Sequence, residues 1–227
     1  MLRTASCAAS LAGALLYVPC PFPVREDRPE AGEMFRQQEM NMPQLERREA
    51  LPVHPVPAGL AAPEDWRLRV DGLVAQPLDL SVSEVDALGA QARAADFICE
   101  EGWVVPDQQW EGVAVAAILE RAGVRPEARF VKVYAGDFTV LLPLAEALTG
   151  GALLARYLNG TPLTPEHGAP LRLVAPGRAC FYNVKWVDRL EVLAAEASTT
   201  GETIARNRVV LGHQFRLGLH HSGEPGF

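Results

Sequence analysis

An α+β domain over residues 65–197 is what the sequence predicts, and three observations lead there. From Trp66 onward, segments of period-2 alternation such as WRLRVDGLV read as strands. Between them lie short segments of helical spacing with recognisable caps. Strands and helices do not follow one another in the regular βαβ order of a parallel sheet, which leaves a mixed α+β arrangement. In chain order, LSVSEVDAL places serines at cap positions and spaces Val82, Val85 and Leu88 along one helical face. GVAVAAILERAG reads as a second helix, with Gly123 where a left-handed C-terminal cap belongs. RFVKVYAG is strand-like. In ARYLNGTPLT, Asn159 and Gly160 stand between apolar flanks, the pair best suited to the positive φ angles of a type I′ hairpin turn. PLRLVAPG and NVKWVDRLEVL are two further strand candidates.

The totals bound the function. With 227 residues, 48% of them apolar, the chain can bury a sizeable core. Its 21 basic and 28 acidic residues give a net charge of −7, which offers no uniform basic field to nucleic acid or to an anionic membrane. Lys132 and Lys185 are the chain's two lysines, so a lysine at a functional position departs from its habitual use of Arg. The four cysteines, Cys7, Cys20, Cys99 and Cys180, show no C-x-x-C and no finger-like spacing; a structural zinc site is not indicated, and reduced thiols are expected.

Residues 1–64 form an irregular N-terminal arm, rich in proline and charge (PCPFPVREDRPE, LPVHPVPAGLAAPED), and residues 198–227 a short polar tail containing His213, His220 and His221. The first 22 residues make at best a weak signal sequence, so a cytoplasmic location is expected, with export to the periplasm as the alternative.

Three stretches can carry chemistry. In FICEEGW, residues 97–103, Cys99 read alone is most readily a packed core thiol, because unpaired cysteine is among the most buried residue types. As a nucleophile it would need a cationic neighbour, and Glu100 and Glu101 oppose thiolate formation. A metal ion deprotonates a coordinating thiol regardless of such neighbours, so the ligand reading survives them. In HGAPLRLVAPG, residues 167–177, a strand starting near Pro170 sets Arg172 and Val174 on the face opposite Leu171 and Leu173. That arginine lies either on a solvated sheet face or in a ligand site flanked by Gly168 and Gly177. His167 is either a loop histidine or a hydrogen-bonding partner for a heterocycle. In FYNVKW, residues 181–186, Lys185 is either a snorkelling edge residue or, beside Asn183 and backbone N–H groups, a phosphate receptor.

Together and in this order these pieces resemble a known family. C-x-x-G-W (Cys99 to Trp103), W-x-G-V (Trp110 to Val113), L-N-G-x-P-L-x-x-x-H-G-x-P-L-R-L-x-x-P-G (Leu158 to Gly177) and V-K-W (Val184 to Trp186) are similar to the molybdopterin-binding domain of the sulfite-oxidase superfamily, over roughly residues 65–195. The resemblance implies a single domain of that type and a molybdenum-molybdopterin cofactor. It further implies that Cys99 supplies the one protein ligand to the metal, that His167 hydrogen-bonds the pterin, that Arg172 pairs with the cofactor, and that Asn183, Val184 and Lys185 hold its terminal phosphate.

Departures from the pattern shape the expected function. Where sulfite oxidases follow the cysteine with an Ala-Gly-Asn-Arg-Arg type of sequence, this chain has Glu100 and Glu101, whose charge repels sulfite. The C-x-x-G-W form resembles the bacterial branch that includes the catalytic subunit of the periplasmic methionine-sulfoxide reductase. The expectation is therefore a molybdenum-dependent oxidoreductase that transfers an oxygen atom on a small neutral, sulfoxide-like substrate. Electrons are exchanged with a separate haem- or quinone-linked protein, and a monomer is expected. Glu101 is set beside Cys99 as a catalytic candidate, either a proton donor lining the pocket or a solvated acid. Neither a haem domain nor an immunoglobulin-like dimerisation domain is expected. His54 is the arm's one candidate near the metal and is not assigned. The alternatives are a non-catalytic cofactor-binding module and, well below both, a cofactor-free cysteine hydrolase using Cys99 with His167.

Overall fold

The computed structural model describes residues 6–7, 18–19, 45–53, 55–204 and 207. His54, the tail histidines and most of the weak leader lie outside them. Residues 1–44 form a unit of their own, in which β1 (Ser6–Cys7) pairs antiparallel with β2 (Val18–Pro19). Residues 45–227 form the second unit, which carries everything described below.

Two sheets build this unit. The first holds β3 (Glu46–Arg47), β6 (Ala90–Cys99), β7 (Trp103–Ala114), β10 (Leu153–Leu158), β11 (Thr161–Pro162) and β12 (Arg172–Val174). The second runs in the order β5 (Leu78–Ser81), β4 (Arg67–Gly72), β13 (Arg189–Leu193), β8 (Phe130–Ala135) and β9 (Phe138–Pro143). Pairing is antiparallel except β3 with β7 and β13 with β4. Three short helices connect strands: α1 (Val82–Asp86), α2 (Val115–Ala122) and α3 (Leu144–Thr149). The architecture is thus the mixed α+β domain the sequence predicts.

Local chemistry fixes the elements. Leu68 and Val70 of β4, Val131 and Val133 of β8, and Leu190 and Val192 of β13 alternate into the core, as period 2 requires. Ser81 caps α1 in a full capping box with Glu84, which lowers the Glu84 pKa through the backbone and side-chain bonds from Ser81. Gly123 closes α2 in the left-handed region at φ 69°. Asn159 (φ 52°) and Gly160 (φ 75°) form the two-residue turn that joins β10 to β11 in register Leu158↔Thr161.

Two differences from the sequence reading matter for the site. The strand expected over NVKWVDRLEVL covers only Arg189–Leu193, because Trp186 sits at φ 58° and Asn183 ends a 3-10 turn; residues 183–188 are an irregular segment. The long hairpin β6–β7, which the sequence reading did not foresee, presents Cys99 at its tip. Its polar outer face and the bulge near Asp96 and Asp107 blur the alternation that would reveal a strand. In the segment read as arm, β3 adds to the edge of β7, and Leu51 is buried. Residues 200–204 are helical, and Thr200 exchanges hydrogen bonds with Thr139 of β9. No helix among the described residues is long and apolar enough to cross a membrane.

β7 and β10 approach so closely at Gly112 that a Cβ there would lie 2.1 Å from the Leu154 carbonyl oxygen and 2.6 Å from the Ala155 Cα. Gly112→Ala should therefore cost about 1–3 kcal/mol or more, since backbone cannot rotate aside as a rotamer can. At Gly102 (φ 93°) space is open and only the left-handed backbone penalises a side chain, so Gly102→Ala should cost about 1–2 kcal/mol. Denaturant unfolding of both variants checks the order; an unchanged Gly112→Ala protein would contradict the packing of β7 on β10.

Candidate cofactor site

The hairpin β6–β7 turns through Glu100, Glu101 and Gly102, with Cys99 paired to Trp103 across it. The Gly102 N–H donates to the Cys99 carbonyl at 3.0 Å, and its positive φ is what a three-residue hairpin turn asks of its last member. Cys99 ends β6 at 8% exposure, packed with Trp103, Trp110 and Val174. Phe97 stacks on Trp103 at 5.7 Å between centroids, and the Arg48 guanidinium lies 4.5 Å above the Trp103 ring.

A second thiol faces the first. The 3-10 turn Cys180–Tyr182 sets the Cys180 sulfur 3.5 Å from that of Cys99. Their shared hydrogen bond, helped by burial, pushes the Cys99 thiol well above the ordinary thiol range, while the same bond lowers Cys180 to about 7. The hydrogen bond thus favours the proton on Cys99 and eases its loss from Cys180.

Arg172 dominates the floor. β12 is buried on both faces: Leu171 just before it and Leu173 join the main core, whereas Val174 joins the smaller cluster under the hairpin. The guanidinium, 3% exposed, lies between the Phe97 ring (5.4 Å) and the Trp110 ring (4.9 Å). One of its terminal nitrogens donates to the His167 carbonyl at 3.0 Å, Nε has no partner, and no carboxylate among the described residues pairs with it. Burial lowers its pKa to about 10, still well above neutrality, so the charge stays.

Lys185 is the second cation. Its Nζ donates to the Glu166 carbonyl, and burial, followed by repulsion from Arg172, lowers its pKa to about 8. The close approach needs Gly168: at φ 104°, a Cβ there would stand 2.9 Å from the Lys185 Cβ. Asn183 anchors the segment between the two thiol and lysine positions; its Oδ1 accepts from the Ala175 N–H at 3.1 Å and its Nδ2 donates to the Cys180 carbonyl at 3.4 Å. Val184 is buried, and its carbonyl accepts from Leu173. The peptide between Ala169 and Pro170 is cis.

One cavity of about 720 Å³ gathers six of the seven site residues named from the sequence: Cys99, Glu101, Arg172, Asn183, Val184 and Lys185 line it. His167 does not line it. Its ring Nδ1 bonds the Thr164 hydroxyl at 3.1 Å, and it reaches the site only through the carbonyl that holds Arg172. The sequence reading missed Cys180, whose place inside PGRACFYNVKW, between two recognised motifs, was the available signal. It also missed Arg48 and the apolar wall formed by Leu51, Phe138, Phe181 and Ile204.

The donor set fits an anionic cofactor that carries its own metal. Among the described residues no group of three or more His, Cys, Asp or Glu could hold a bare ion, so a metal beside Cys99 must bring its remaining ligands with it. The unsatisfied Nε of the buried Arg172, with the half-buried Lys185 lining the same cavity, asks for an anionic, hydrogen-bond-accepting group such as a phosphate. Cys99 supplies a soft sulfur ligand in the same cavity.

Comparison with known proteins agrees. Residues 53–200 match the family model described as the oxidoreductase molybdopterin binding domain. The chain is 42% identical over 123 residues to the uncharacterized oxidoreductase YuiH of Bacillus subtilis (strain 168), covering 54% of this chain and 62% of that one. It is 31% identical over 173 residues to the protein-methionine-sulfoxide reductase catalytic subunit MsrP of Gluconobacter oxydans (strain 621H), covering 67% of this chain and 52% of the relative. The chain thus spans less than two thirds of the length of these relatives. The sulfane dehydrogenase SoxCD of Paracoccus pantotrophus shares the fold with a TM-score of 0.56 at 22% identity, over 77% of this chain and 56% of that one. With a matching family model across most of its length, and one cavity lined by a buried thiol, a buried arginine and a half-buried lysine, the chain belongs to the oxidoreductase molybdopterin binding domain family, whose cofactor is molybdenum-molybdopterin.

Proposed function

We propose that the chain is a molybdenum-dependent oxidoreductase that reduces a small neutral sulfoxide to its thioether. The single observation that carries this reading is the convergence of Cys99, Arg172 and Lys185 on one cavity whose rim bears Glu100 and Glu101. When bound, the cofactor supplies oxygen-atom transfer coupled to a two-electron change. Cys99 would hold the metal through its sulfur, which must give up its proton to do so. Arg172, whose Nε is unsatisfied, would hold the cofactor's anionic part, and Lys185 with Asn183 would hold the terminal phosphate.

Substrate selection falls to the remaining wall. Leu51, Phe97, Trp103, Phe138, Phe181 and Ile204 make it largely apolar, which suits a thioether-like body and excludes water from the reacting atoms. The acids at the rim disfavour sulfite. Sulfoxide reduction consumes two electrons and two protons and yields thioether and water. Glu101 lines the cavity and accepts a hydrogen bond from the Trp103 indole at 3.4 Å, which orients its carboxyl for proton delivery. The electrons come singly from a separate haem- or quinone-linked protein. The MsrP likeness supports the sulfoxide class.

Cofactor-loaded protein supplied with a reduced viologen dye should reduce dialkyl and aryl alkyl sulfoxides and leave sulfite unoxidised. Turnover of sulfite in preference to every sulfoxide would reverse the substrate assignment, and a loaded protein inert on both would favour a binding module. Glu101→Gln should lower kcat about 10²-fold with KM little changed, the ordinary share of a positioned proton donor; full kcat would make Glu101 a solvated acid.

Lys185 gives the clamp a pH signature. Its folded pKa of about 8 lies below that of a free lysine, so the cofactor-free fold gains stability as pH rises from about 8 toward the ordinary lysine value. Over the same window the ammonium loses the charge that holds phosphate. Lys185's share of the empty protein's stability and the uptake of molybdopterin should therefore move in opposite directions between about pH 8 and 10, and Lys185→Gln should remove that share and flatten the uptake trend; uptake that stays flat across this window in the unaltered protein would remove Lys185 from the clamp.

A further inference from the structure

Cys180 has no part in the chemistry derived above, yet its placement is specific. Its sulfur lies 3.5 Å from that of Cys99, and both line the cofactor cavity, within reach of small solutes. Disulfide bonding requires about 2.05 Å between sulfurs, an approach of roughly 1.5 Å. The two partners differ in freedom to make it. Cys99 is fixed at the end of β6 by its pairing with Trp103, whereas Cys180 rides on a single 3-10 turn beyond the exposed Gly177, at φ 74° with nothing within 4 Å of a Cβ.

We propose that Cys99 and Cys180 form a reversible disulfide in the cofactor-free protein, a redox lock that withholds the Cys99 sulfur from the metal until a thiol reductant reopens it. The proposal rests on the reading of Cys99 as the metal's protein ligand. The oxidant class is a low-molecular-weight disulfide. The Cys180 sulfur attacks one sulfur of the reagent, breaking its S–S bond, forming a mixed disulfide and releasing one thiol. The Cys99 sulfur then attacks the Cys180 sulfur of that mixed disulfide, forming the Cys99–Cys180 bond and releasing the second thiol. Two electrons pass from the protein to the reagent, and the two protons of the protein thiols leave on the two released thiols. Reduction by a dithiol runs the same exchange backward. With the cofactor in place the Cys99 sulfur is engaged on the metal and the exchange stops.

The test compares full-length protein produced in a host unable to make molybdopterin with cofactor-loaded protein, each treated with oxidised glutathione. The cofactor-free protein should lose two thiols, become lighter by two hydrogens, and yield a linked peptide pair containing Cys99 and Cys180. Its uptake of molybdenum-molybdopterin should fall by at least about tenfold, because the ligating sulfur is consumed, and return after dithiothreitol. Loaded protein should show neither change. Cys180→Ser should give no internal link, and its cofactor uptake should be insensitive to oxidised glutathione; the peptide map of the unaltered protein stands whether or not that variant folds. Glutathione adducts without the internal link, or uptake unaffected by the link, would overturn the lock. A link that forms equally in loaded protein with molybdenum retained would overturn the lock by removing Cys99 from the metal, an outcome distinguishable from failure of the thiol pair.

Discussion

The structure depends on a positive charge held where none should be comfortable. Arg172 is buried between Phe97 and Trp110, bonded to the His167 carbonyl, with Nε unsatisfied and no carboxylate opposite it among the described residues. Desolvating an ion without a partner costs several kcal/mol, and two aromatic faces recover only part of it. Around this charge the rest of the site is arranged. β12 is buried on both faces, β10 pairs with it, and the loop from His167 to Pro170 bends back so that a carbonyl can reach the guanidinium. A second cation, Lys185, stands close enough to repel it. Two like charges lining one cavity repel each other, and a bound anion would relieve that repulsion.

The hairpin β6–β7 delivers the complementary chemistry. By ending β6 at Cys99 and turning through Gly102, it sets a buried thiol in the wall of the cavity that the cations also line. A ligand that satisfies both sides must be anionic at one end and thiophilic at the other. Metal-bearing molybdopterin meets that description, which is why the physical reading and the family membership converge without either being needed to prop up the other.

Much of this was readable in the chain itself. The alternation of β4 and β8, the capping box at Ser81, the Gly123 cap and the Asn159-Gly160 turn are local signals, and local signals survive in a sequence. Arg172 and Lys185 stood out because one opposed a leucine face and the other was a lysine in an arginine-using chain. Long-range facts did not survive. Nothing local says that Cys180 meets Cys99 across 81 residues, nor that His167 contributes its carbonyl rather than its ring to the cavity. The expected strand at Asn183 to Asp188 gave way because Trp186 takes a positive φ, held there by its indole bond to the Pro165 carbonyl. That contact, again, is long-range.

The central claim, that Cys99 is the protein's sulfur ligand to molybdenum in this cavity, is most directly tested by X-ray absorption at the molybdenum edge. Purified loaded protein and its Cys99→Ser variant, each reloaded to measurable metal content, would be compared for the number of sulfur neighbours. The account predicts that the variant loses one sulfur from the metal's first coordination shell. An unchanged sulfur count in the variant, with Cys180 present or absent, would contradict it.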